Sequence, residues 1–142
     1  MRKTVLTMLV LLLAGVAGSS DRPAKAPKPK KPKVEARAIP ALGVPPLEVL
    51  VILDLTGGDE VEELYCPEVE FDWADGGKSV QESDCPPFEP GKTTLTRRYS
   101  ARHVYRRGGE FTVRVRLRRV DKVVASAETH VSVHSGLDNY VD

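Results

Sequence analysis

Between residues 111 and 118 the chain alternates without a break. Phe111, Val113, Val115 and Leu117 are apolar, while Thr112, Arg114, Arg116 and Arg118 are polar. A period of two suits a β-strand with one buried and one wet face, and no helix gathers such a set on one side. Ala125, Ala127, Thr129, Val131 and Val133 alternate with Ser126, Glu128, His130 and Ser132 in the same way. Val120-Asp121-Lys122 reads as the hairpin turn between these two runs. Val69, Phe71 and Trp73 alternate with Glu68, Glu70 and Asp72. Residues 47–55 form a denser β-rich run that ends at Thr56-Gly57-Gly58-Asp59, and a Thr-rich run from Leu95 ends near Tyr105. After residue 20 no apolar stripe of helical period occurs. Short strands bounded by Gly, Pro, Asp or Ser clusters predict an all-β antiparallel sandwich.

The first twenty residues read differently. Arg2 and Lys3 precede an uncharged, mostly apolar run from Val5 to Val16, followed by Ala17, Gly18, Ser19 and Ser20. This is the layout of a secretory signal, and the run falls short of the roughly 20 residues that a membrane span needs. The expected product is secreted or periplasmic, with no membrane span left after cleavage. Residues 21–46 carry prolines at 23, 27, 29, 32, 40, 45 and 46 and a net charge of +5. Proline fixes φ and biases its predecessor toward extended backbone, so this stretch is expected to be a flexible polyproline-II-like linker. It could attract an anionic surface or act as a solubilising tether. The folded domain is then expected over 47–134, with a short tail over 135–142.

Two stretches resemble the PKD (polycystic kidney disease) repeat. Phe71-Asp72-Trp73-Ala74-Asp75-Gly76 is similar to the family's Trp-Asp-Phe-Gly-Asp-Gly signature, with the aromatics exchanged and Ala74 in place of the first glycine. His103, Tyr105, Gly109, Phe111, Val113 and Val115 fit the spacing of its second signature, and Gly108 replaces a usual proline. The resemblance implies an immunoglobulin-like sandwich over about 47–134 and a non-enzymatic interaction module. Read from the residues themselves, Phe71 and Trp73 share parity with Val69 and belong to the core. Asp75-Gly76-Gly77 is a tight turn that needs positive φ. Ala74 is expected to take an ordinary φ. The Tyr105 hydroxyl is placed to pin a corner by bonding backbone, and His103 is expected to be a hydrogen-bonded edge residue.

Charge is distributed unevenly. Residues 47–89 carry thirteen acidic side chains and one basic, whereas residues 90–122 carry eleven basic and two acidic. Arg114, Arg116 and Arg118 could form a docking stripe for anionic groups. In an immunoglobulin-like sheet, however, their strand lies beside that of Glu68, Glu70 and Asp72, and cross-strand pairing explains both patches at once. The net charge of the whole chain is +1, which argues against a nucleic-acid partner. Cys66 and Cys85 are the only cysteines, and in an exported chain one pair is most simply a disulfide. It would staple an irregular insertion expected over 78–93.

No nucleophile elbow, HExxH or phosphate-cradling loop occurs, so no catalytic residue, and no enzyme, is expected. His130 and His134 would lie on one exposed strand face too far apart to share a metal. Asp54, Asp59, Asp72 and Asp75 could supply oxygens to calcium, as in some PKD repeats, but match no defined loop. No cofactor is otherwise expected. The sequence thus predicts a monomeric, exported binding or structural module that recognises a protein or glycan at the cell envelope, with the stapled loop as first candidate surface and the arginine face as second. The alternative is an envelope-tethered accessory protein whose basic leader binds while the sandwich acts as a spacer.

Overall fold

The alternating run around Phe111 becomes the long strand β7 (Gly109–Arg119), and the run around Val131 becomes β8 (Lys122–Val133). The computed structural model describes residues 32–136. The expected signal, most of the expected leader and most of the expected C-terminal tail lie outside those residues. Eight strands form two sheets. One has the order β1-β3-β6, with β1 (Lys33–Ile39), β3 (Leu47–Thr56) and β6 (Arg98–Tyr105). The other has the order β2-β8-β7-β4-β5, with β2 (Leu42–Gly43), β4 (Glu68–Asp72) and β5 (Lys78–Gln81). All pairings are antiparallel except the two-residue contact of β2 with β8, which is parallel. This is the expected all-β, immunoglobulin-like sandwich.

Parity places the core. Val49, Val51, Leu53 and Leu55 of β3 face Val69 and Phe71 of β4, Val113, Val115 and Leu117 of β7, and Val131 and Val133 of β8, all of them buried. Each such side chain contributes about 1.5–3 kcal/mol by leaving water. β7 and β8 join through a two-residue turn in which Val120 has φ 54°, the left-handed start that a tight hairpin requires. A bulge at Leu117/Arg118 then gives Val124 an extra place on β8 beside the core.

The expectations change in three places, two of them boundaries. Residues 33–39, assigned above to the flexible linker, form β1 and pair along β3 from Lys33↔Thr56 to Ile39↔Leu50. The reason is local: no proline stands between Pro32 and Pro40, so the backbone can donate a full ladder, and Val34, Ala36 and Ala38 turn inward against the core. The sandwich therefore begins at Lys33 and not at Leu47. Residues 78–81, assigned to the insertion, form edge strand β5 beside β4, anchored by Trp73 Nε1 donating to Ser79 Oγ at 2.9 Å. Four residues are too few to announce a strand by alternation. Third, Ala74 does not take an ordinary φ but sits at 63°. Asx bonds impose this: Asp72 Oδ1 accepts from the Ala74 N–H at 3.2 Å and Asp75 Oδ1 from the Gly77 N–H at 2.9 Å. Gly76, at φ 92°, completes the turn.

Candidate functional site

β4 runs away from Cys66 and toward the 73–77 turn, β6 runs toward that same turn, and β7 returns from it. The sandwich thus has two distinct ends. At the first, Cys66 and Cys85 form a disulfide with Cα atoms 6.2 Å apart. It ties the start of β4 to the irregular segment 82–97. Tyr65 Oη donates to the Pro86 carbonyl at 2.7 Å, and its ring lies 5.6 Å from that of Phe88. Arg119 donates to the Tyr65 carbonyl, and Arg97 bonds the Gly57 carbonyl and Asp59. Of the loop itself only Leu95 is buried. Tyr65, Ser83, Asp84, Pro87, Phe88 and Arg119 border a shallow cleft of about 290 Å³. Glu60, Glu62, Glu82, Asp84 and Asp121, all at this end, have neither an ion pair nor a side-chain hydrogen bond among the described residues.

The arginine face is paired from within. The register sets Glu68 opposite Arg118, Glu70 opposite Arg116 and Asp72 opposite Arg114. Arg116 reaches Glu70 at 2.5 Å and Asp72 at 3.6 Å, Arg118 reaches both Glu68 and Glu70 at 3.6 Å, and Arg114 turns to Glu128 on β8. Glu70 is only 8% exposed and also has Lys78 at 3.6 Å. A carboxylate so nearly buried requires such partners. The three arginines are therefore occupied in holding β4, β7 and β8 in register.

At the second end, rings from both sheets run in a row. Phe71 and Trp73 follow β4, His103 and Tyr105 come from β6, and Phe111 comes from β7. Successive centroids are 5.7, 4.7, 4.8 and 4.3 Å apart. Trp73 and His103 stack within 8° of parallel. Tyr105 Oη donates to the Trp73 carbonyl at 2.9 Å in a buried bond, pinning the corner as expected. Burial, with the Asp75 carboxylate adding to it, pushes this phenol far above its ordinary range, so it remains a donor. His103, on edge strand β6, bonds Asp75 at 2.6 Å. Burial alone would raise the Asp75 pKa and is the largest influence, but the hydrogen bonds from His103 and the Gly77 N–H outweigh it and hold the carboxyl below its ordinary range.

The Asp75–His103 pair has two members of a hydrolytic triad, but no hydroxyl or thiol bonds His103 among the described hydrogen bonds. His130 bonds Thr112 and His134 bonds Ser132. The four aspartates weighed for calcium are not brought together. Asp54 meets Arg98 and Arg37, Asp59 meets Arg97, Asp72 meets Arg116, and Asp75 meets His103. The Arg98 hydrogen bond is the largest influence on Asp54 and, with Arg37, outweighs partial burial to keep it below its ordinary range. Among the described residues no group of three or more His, Cys, Asp or Glu is placed to hold a metal.

Sequence reasoning passes over Arg106 and Arg107. They lie in the β6–β7 turn, where parity assigns no face. Both are exposed, and neither has an ion pair or side-chain hydrogen bond among the described residues. Every other described lysine and arginine meets a carboxylate, except Arg119, which bonds the Tyr65 carbonyl. An Arg-Arg-Gly-Gly turn between two strands, with no acid in register, is the signal that could have found them.

No protein-family model matches the sequence, and no curated protein matches it. Among solved structures, the chain is similar to the PKD domain of an M14-like peptidase from Thermoplasmatales archaeon SCGC AB-540-F20. The two are 14% identical, with a TM-score of 0.47, over 72% of this chain and 91% of that one. It is also similar to the CARDB domain of the PF1109 protein from Pyrococcus furiosus, a structure in complex with di-metal ions. That pair is 12% identical, with a TM-score of 0.42, over the same shares, 72% and 91%. Both are likenesses of fold.

Proposed function

We propose that this protein is an exported, non-enzymatic binding module that recognises a protein partner at the cell envelope or outside the cell through the disulfide-stapled loop. The observation that carries the reading is the Cys66–Cys85 bridge itself, which ties to the start of β4 a segment, 82–97, in which only Leu95 is buried. Such a loop would sample many conformations, and a crosslink reduces the ordering cost of binding. The bridge also suits an oxidising compartment, in agreement with the signal-like first twenty residues. The unpartnered carboxylates around the loop favour a partner with a basic surface.

The test is capture from an envelope extract by the full chain, with wild type compared against Cys66→Ser/Cys85→Ser and against Glu82→Lys/Asp84→Lys. Partners held by wild type are expected to be lost from the first variant while the sandwich stays folded, and weakened by the second in a salt-dependent way. Equal capture by all three proteins defeats the proposal. Capture that vanishes only when residues 21–31 are deleted transfers the binding to the basic leader.

A further inference from the structure

We infer that the end of the sandwich opposite the disulfide is a second binding site, a cleft that takes an acidic peptide segment bearing an apolar side chain. The cleft holds about 610 Å³ and is lined by Asp75, His103, Tyr105, Arg106, Arg107 and Phe111, with Val104 and Gly108.

Three observations converge on this ligand. The first is charge. Arg106 and Arg107 are the two described guanidinium groups with no partner among the described residues, whereas every other described lysine and arginine has one. Two adjacent planar forks present several N–H donors, the geometry that carboxylates accept in bidentate fashion. The one carboxylate in the cleft, Asp75, is already committed to His103 and the Gly77 N–H, so it leaves the arginines unneutralised.

The second is shape. A Cβ on Gly108 would stand 2.9 Å from the Ser135 backbone nitrogen and 3.1 Å from the Val133 carbonyl oxygen. Gly108 therefore lets the turn lie directly on the chain that follows β8, and this close seat fixes where Arg106 and Arg107 emerge. The third is the wall. Phe111 is half-buried and stacks on Tyr105, with Val104 exposed beside it. A free inorganic anion would use only the arginines, whereas a peptide with carboxylates flanking an apolar side chain would use both features. A nucleic acid would find no exposed ring face on which to stack bases, because His103, Tyr105 and Phe111 are buried or half-buried and packed on one another.

The molecule carries its own reporter. Trp73 is the only tryptophan, and it stacks on His103, which borders the cleft. The experiment titrates the full chain with the blocked peptide Glu-Phe-Glu-Glu and follows Trp73 emission, with calorimetry in parallel. Saturable binding that weakens with salt is expected. Arg106→Gln/Arg107→Gln should weaken it by about tenfold or more, as loss of charge-assisted hydrogen bonds does, with an unchanged unfolding midpoint because both side chains are exposed. Phe111→Leu, and a peptide with Gly for Phe, should each weaken it by a smaller factor. Cys66→Ser/Cys85→Ser should leave it intact, which separates this site from the loop. No saturable binding by either readout, equal binding by the arginine variant, equal binding of Lys-Phe-Lys-Lys, or inorganic phosphate binding as tightly as the peptide would each overturn the assignment.

Discussion

At one end of the sandwich a covalent bridge holds a loop in which only Leu95 is buried; at the other, five rings from two sheets hold the turns with no crosslink. The ends differ in charge as well. Among the described residues, the carboxylates without partners gather around the loop, and the guanidinium groups without partners lie on the far turn. Between them the ladder of β4, β7 and β8 is neutralised strand against strand. The contrast shows where each kind of restraint is needed. A turn that can bury an indole and a phenol is fixed by the hydrophobic effect and one or two internal hydrogen bonds. A polar loop has no such surface to bury, so its restraint acts largely on the unfolded chain.

This contrast can be broken first at the ring end. Trp73→Ala removes the largest buried side chain and the partner of Ser79. It should cost about 3–5 kcal/mol, read as a lower midpoint in urea.

Cys66→Ser/Cys85→Ser tests the other end. It should cost about 3 kcal/mol in the loop-closure account, while Trp73 emission from the folded state stays unchanged. A shift in that emission would mean the two ends are coupled. Arg116→Ala then tests the middle. It removes the hydrogen-bonded partner of nearly buried Glu70, leaving Arg118 and Lys78 at 3.6 Å, and should cost about 1–3 kcal/mol, whereas Arg114→Ala, half-exposed beside Glu128, should cost under about 1 kcal/mol. Equal costs would show that the ladder acts through net charge and not through burial.

The smallest effect is in pH. Asp75 is held below its ordinary value of 3.8 in the folded protein. Its contribution is full above that value and is lost as pH falls through the lower folded one. Asp75→Asn should therefore flatten the acid limb of the stability curve below about pH 4, measured by thermal unfolding. An unchanged limb would assign acid sensitivity to Asp54 instead, whose pKa is also lowered.

Much of this was legible along the chain. Strand parity identifies Val69, Phe71, Val113, Val115 and Leu117 as core, and opposite charges on two neighbouring strands anticipate the register of Glu70 with Arg116. The cysteine pair anticipates the bridge. β1 was hidden because prolines on both sides give its seven residues the look of a linker, and β5 because four residues carry no period. The β1 result also fixes how the leader can be tested, since a deletion reaching past Pro32 removes an edge of the sandwich.

What the sequence by itself determined is therefore the set of properties that repeat along a strand, which side chains point inward and which charges point outward, together with the single possible cysteine pair. The first two depend on neighbours two residues away, and the third on there being only two cysteines. Only the tertiary structure decided that rings from β4, β6 and β7 form one row, that Ala74 takes a left-handed φ, and that Arg106 and Arg107 are left without partners among the described residues. Each of those outcomes depends on groups brought together from distant parts of the chain, and a pattern of period two carries no record of what will stand opposite.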